Sequence, residues 1–209
     1  MIRTLKITAL ILTIVALSVA FAGCGASEEA EETSVETAET TQPGETAPVA
    51  ANLPEQTATG VGIAPGQTPP EFVLPDLDGN DVTLADYKGK VVILDLWATW
   101  CPPCRQEIPF LVSLYEEYKD QGLVVVGVGL DQGGASALAP FVEQNDVTYP
   151  ILVGDQSVSQ SYNVSGIPMT LMIDRDGRVA SKDVGFAPTM EGMMRARVEE
   201  LLSRQAMEA

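Results

Sequence analysis

Residues 91–109, VVILDLWATWCPPCRQEIP, limit what this chain can become more than any other stretch. The run from Val91 to Leu96 is apolar except at Asp95. A near-continuous apolar run is what a strand buried on both faces of a parallel sheet requires. An aromatic turn follows, then the pair Cys101 and Cys104, then the start of a helix. Pro102 suits the first helical turn, where its missing N–H would have no partner anyway. Cys101 therefore falls at a helix mouth, where unpaired backbone N–H groups and the helix dipole favour negative charge. The thiolate is the nucleophilic form of cysteine, and this position lowers the thiol pKa. The block reads as a redox dithiol. An inert internal disulfide is the other reading, but it would not need a place at the start of a helix.

A length of 209 residues allows one ordinary domain plus tails. The formal charge of −17 argues against nucleic-acid partners, which need clustered Lys and Arg. The chain has no histidine, which excludes Ser-His-Asp and Cys-His catalysis and removes the commonest zinc ligand. Two neighbouring cysteines cannot close a four-cysteine zinc site, so no metal is expected. No GxGxxG follows a strand, and Gly127-Val128-Gly129 reads as a close-packed strand, so no cofactor is expected.

Along the chain, Arg3 and Lys6 precede an apolar run from Ile7 to Phe21 and small residues ending at Gly23. That is a secretory-type leader over residues 1–23, too short and wrongly flanked for a membrane span. Residues 24–64 read as an acidic tether, with eight glutamates and no basic residue between Gly25 and Gly60. Low hydrophobicity with one sign of charge cannot offset the entropy of folding. Residues 65–209 hold the globular domain. Its N-terminal part, Phe72 to Leu84 across Asp78-Gly79-Asn80, reads as a small hairpin. A second buried strand (Leu123 to Leu130) and a helix from about Ala135 to Gln144 follow. Then come a short extended segment, a short helix and a hairpin turning at Asp174 to Gly177. A final helix from about Thr189 to Gln205 turns Met193, Met194, Val198, Leu201 and Leu202 to one face. The order gives an α/β fold with a central mixed sheet flanked by helices.

The run Trp97-Ala98-Thr99-Trp100-Cys101-Pro102-Pro103-Cys104 resembles the WCxxC site of the thioredoxin superfamily. Gly166-Ile167-Pro168 resembles that superfamily's cis-proline loop. Asp95 falls where thioredoxins keep a buried acid, and Pro109 falls on their helix-kinking proline. Phe21-Ala22-Gly23-Cys24 resembles a bacterial lipobox, with Phe21 in place of the usual leucine. With the leader, the tether and the hairpin, the chain looks most like the TlpA/ResA branch of membrane-tethered thiol–disulfide oxidoreductases. The resemblance implies a thioredoxin-like fold with an N-terminal β-hairpin extension, outside the cytoplasm and anchored by lipid on Cys24. An uncleaved anchor, or a plain leader with a chance cysteine, are the alternatives at Cys24.

The resemblance also implies roles. Cys101 is the attacking, more exposed sulfur and Cys104 the inward one that resolves the mixed disulfide. Asp95 is a buried acid/base for Cys104, against the reading of an aspartate turned to solvent at a strand end. Trp100, Pro102, Pro103, Ile167 and Pro168 shape the surface that meets a protein disulfide. Arg105 reads as a surface charge, Trp97 as core, and Glu107 as a solvated face residue, with tuning of the site as its sharper role. Partners implied are protein disulfides, such as those of apocytochromes, and a membrane thiol donor. A peroxiredoxin-like peroxidase is a competing class, yet that family places Thr three residues before its reactive Cys, where this chain has Ala98. A non-enzymatic redox-sensing lipoprotein is the third.

Overall fold

The computed structural model describes residues 60–204. The leader, Cys24 and nearly all of the acidic tether lie outside the described residues. A short antiparallel pair opens the domain, β1 (Val73–Pro75) with β2 (Asp81–Thr83). Asp76 fixes its turn by accepting the N–H groups of Asp78 and Asn80 at 2.9 Å each. This is the hairpin expected from the sequence.

The central sheet has five strands: β3 (Val91–Trp97), β4 (Leu123–Gly129), β5 (Ile151–Val153), β6 (Met169–Ile173) and β7 (Val179–Val184). Their order is β5-β4-β3-β6-β7, with β3, β4 and β5 parallel and β6 and β7 antiparallel to their neighbours. The helices are α1 (Pro102–Tyr118), α2 (Ala135–Gln144), α3 (Gln156–Ser161) and α4 (Glu191–Ser203). All seven residues of β3 are buried, as a central strand covered on both faces must be.

Side chains alternate along a strand, so β3 serves two cores. Val91, Ile93 and Trp97 pack with Ile108, Leu111 and Leu114 of α1, Leu138 of α2 and Val198 of α4. Val92, Leu94 and Leu96 pack on the opposite side with Phe72, Leu74, Val158 and Tyr162. Asp95 takes the parity of Ile93 and Trp97, which turns it toward α1. α1 runs unbroken from Pro102 to Tyr118 through Pro109. In α4 the buried stripe is Met194, Val198 and Leu201, spaced i, i+4, i+7. Met193, expected on that face, is 42% exposed, because it stands one residue and about 100° off the stripe.

Gly127 and Gly129 sit within β4 as the close-packed strand predicted. A Cβ on Gly127 would come within 2.7 Å of Ile151 Cδ1, 2.9 Å of Trp97 Nε1 and 3.2 Å of Tyr149 Cε2. The missing side chain is what lets the Trp97 indole lie over the sheet. Gly127→Ala should therefore overpack this core and lower stability by roughly 1–3 kcal/mol. Gly192→Ala, in α4 with nothing within 4 Å of its Cβ, should raise it by up to about 1 kcal/mol. Urea denaturation of the two variants checks both signs.

Candidate active site

The dithiol sits where β3 hands the chain to α1. Cys101 is the N-cap of α1, and its Sγ accepts the Cys104 backbone N–H at 3.3 Å. Pro102 and Pro103 occupy the first helical positions, so neither wastes a backbone donor there. The sulfurs are bonded to each other, closing a disulfide across one helical turn. A helix start of this kind, with a backbone N–H on the sulfur, favours negative charge there once the disulfide is reduced. The exposures fall in the expected order, Cys101 at 3% and Cys104 at 0%, although Cys101 too is buried. The Ile167 carbonyl oxygen lies 3.6 Å from Cys101 Sγ, and the Ile167–Pro168 bond is cis. The loop of Ile167 and the helix start thus meet at the reactive sulfur from opposite sides of the sequence. Trp100 is 67% exposed beside it, Pro102 is exposed and Pro103 half-buried.

Two carboxyls lie beneath this edge. Asp95 is fully buried, and neither of its oxygens has a hydrogen-bond partner. Glu107 corrects the sequence reading: it is no solvated face residue but is 1% exposed on the inner side of α1. Helical spacing held the signal, since Cys104, Glu107, Ile108 and Leu111 fall at i, i+3, i+4 and i+7, the buried stripe of α1. The Thr170 hydroxyl donates to Glu107 Oε1 at 3.0 Å, and Thr170 pairs with Asp95 across β3 and β6.

Burial outweighs that one hydrogen bond and, with the Asp183 charge nearby, pushes the Glu107 pKa up to about 7. Asp95 is held well above the ordinary carboxylate range, by burial first and then by the charge of Glu107. A charge on Glu107 therefore favours keeping the proton on Asp95.

Asp131 was not singled out by sequence, yet it anchors the turn before Cys101. Its carboxylate accepts the Thr99 hydroxyl at 2.6 Å and the Thr99 N–H at 3.0 Å. The Trp97 carbonyl accepts the Leu130 N–H at 2.8 Å, so β3 and β4 keep their register into the loop. Nothing local in the sequence marks Asp131, because its partner lies 32 residues away. Arg105 is exposed as expected and lies over the Phe141 ring at 5.9 Å.

Raised carboxyl pKa values have a fixed consequence for stability. Between the unfolded value near 4.5 and the folded value near 7, the folded chain holds more protons than the unfolded one. The stability that Glu107 contributes is therefore fully present below about pH 4.5 and is lost as pH rises through 7. Glu107→Gln should remove that loss, gaining on the order of 3 kcal/mol over the native chain between pH 4.5 and 8. Denaturation midpoints across that range check it; parallel curves for the two proteins would contradict it.

Comparison with known proteins agrees with this geometry. The AhpC/TSA family matches residues 65–182. Thiol-disulfide oxidoreductase ResA of Geobacillus kaustophilus is 42% identical over 118 residues, covering 56% of this chain and 67% of that protein. Thioredoxin-like protein YneN of Bacillus subtilis is 41% identical over 127 residues, covering 60% of this chain and 74% of the relative. A crystal structure from Chlorobium tepidum, of a candidate thiol:disulfide interchange protein DsbE, superposes with a TM-score of 0.64 at 33% identity. It covers 68% of this chain and 99% of its own. The chain thus belongs to the AhpC/TSA family of thioredoxin-like proteins, among relatives that are thiol–disulfide oxidoreductases.

Proposed function

We propose that this thiol–disulfide oxidoreductase reduces disulfides of exported proteins through Cys101 and Cys104. The observation that carries the reading is the bonded sulfur pair at the α1 start, with the Ile167 carbonyl beside Cys101 Sγ and Glu107 on the same buried stripe of α1 as Cys104. In the reduced chain the Cys101 thiolate attacks a sulfur of the substrate disulfide. A mixed disulfide forms and one substrate thiolate leaves. Cys104 gives its proton to the Asp95–Glu107 pair and attacks Cys101 Sγ, which breaks the mixed disulfide and frees the second substrate thiolate. The enzyme is left as the Cys101–Cys104 disulfide, two electrons poorer. A thiol donor at the membrane restores the dithiol by the reverse exchange.

The surface around Cys101 receives the substrate, with Trp100, Pro102, Pro103, Ile167 and Pro168 shaping it. The leader over residues 1–23, the lipobox-like Cys24 and the acidic stretch to residue 64 support a lipid-anchored, extracytoplasmic position, with residues 65–209 held off the bilayer. Among the described residues no helix is long and apolar enough to cross a membrane. Apocytochromes, whose cysteines must be reduced before haem attachment, are the substrate class that this placement favours. A peroxidase finds less support. Ala98 stands where the resemblance would put threonine, and the neighbouring Thr99 hydroxyl is committed to Asp131.

Insulin reduction with a small thiol donor tests the roles. Cys101→Ser should lower turnover by on the order of 10³-fold or more, the scale of losing a nucleophile. Cys104→Ser should instead accumulate a mixed disulfide with substrate on Cys101. Turnover surviving Cys101→Ser would overturn the assignment.

A further inference from the structure

Cys101 reaches the start of α1 through a tight turn, and that turn is gripped from outside. The Cys101 N–H donates to the Ala98 carbonyl at 3.2 Å, which closes Ala98 to Cys101 into one turn. Trp100, inside it, is 67% exposed, so its large side chain packs little and does little to fix the turn's shape. Thr99, the other inner residue, is held twice by Asp131. Its main-chain N–H donates to one carboxylate oxygen at 3.0 Å and its hydroxyl to the other at 2.6 Å. Hydrogen bonds to a carboxylate are roughly twice as strong as those between neutral groups.

The grip adds nothing that the sheet needs. β3 and β4 are already in register from Val91–Leu123 to Trp97–Gly129, and the Trp97 carbonyl takes the Leu130 N–H beyond the last pair. Asp131 lies one residue further on, past the ladder, and its own carbonyl accepts the Gly134 N–H in the turn that opens α2. It is 8% exposed, and a carboxylate taken out of water is costly unless its hydrogen bonds compensate. What those bonds hold is the turn that ends at the outer sulfur. There Cys101 Sγ meets the Cys104 N–H at 3.3 Å and the Ile167 carbonyl oxygen at 3.6 Å. Both contacts require one placement of the Cys101 backbone.

We propose that Asp131 is a positioning residue for Cys101: its double hold on Thr99 keeps the turn in the shape that leaves the sulfur on the α1 cap. This rests on the exchange reaction proposed above and names what readies its nucleophile. With the hold released, the sulfur spends less time against the Cys104 N–H, the thiolate loses part of that support, and attack on a disulfide slows. The charged and titratable groups on the elements around the turn are Asp95 on β3, Cys104, Arg105 and Glu107 on α1, and Asp131 itself after β4. The Gly166–Pro168 loop and the first turn of α2 bring none.

The test uses the reduced full-length chain and the pH profile of iodoacetamide alkylation at Cys101. Thr99→Val keeps the β-branched shape and deletes the hydroxyl. Alkylation at pH 7 should slow by about 3- to 10-fold and its pH midpoint should move up by about half a unit, the scale of losing one hydrogen bond. Thr99→Ser, which keeps the hydroxyl, should return both to the native values. Adding Thr99→Val to Asp131→Ala should slow the reaction no further, because the hydroxyl bond is already gone. A Thr99→Val profile that superposes on the native one overturns the positioning role, as does a loss that Thr99→Ser leaves in place. The Thr99 pair decides the matter even if Asp131→Ala fails to fold. A native chain that reduces no protein disulfide would defeat the functional reading instead, while alkylation still decides what Asp131 does for Cys101.

Discussion

The cost of placing charge inside a protein organises this structure. Asp95 stands mid-strand at the centre of the sheet, fully buried and without a cation, and Glu107 joins it from α1 with one threonine for company. An isolated ionised carboxylate is expensive in such surroundings, so the groups keep protons into the neutral range. A neighbouring hydrophobic pair would pack more cheaply. In the exchange we propose, the second sulfur must lose a proton on demand, and these carboxyls are the acceptor.

The two cysteines receive opposite environments from one turn of helix. Cys101 caps α1 and takes a backbone N–H on its sulfur, which favours the anion. Cys104 points inward into the core cluster that holds Trp97 and Ile108, with no exposure at all, which favours the neutral thiol. The CxxC spacing produces this asymmetry because three residues carry the chain from the helix mouth almost once around to its inner face. In the exchange we propose, one sulfur attacks and the other resolves for reasons of place alone.

Most of the architecture was legible in the chain. β3, β4, α2 and the Asp174–Gly177 turn announce themselves through apolar runs and turn residues, and the N-terminal hairpin through Asp78-Gly79-Asn80. The dithiol was legible from its place at a helix start, and Asp95 and the Ile167–Pro168 loop through the resemblance to thioredoxins. What failed was the environment of single polar side chains. Glu107 looks like any helical glutamate until its spacing from Cys104 is followed around the helix. Asp131 acts through Thr99, 32 residues away in sequence, and no local pattern marks such a pair. Met193 shows the converse, since a run of two methionines cannot say which one faces in.

The central claim is that one sulfur is held as an anion while its neighbour is held neutral. Following thiolate formation in the reduced chain against pH, with rates of alkylation at each cysteine, tests it most directly. The account predicts two separated titrations, Cys101 below the ordinary thiol value of about 8.5 and Cys104 above it. Both cysteines titrating together near that value, and reacting at equal rates, would contradict it.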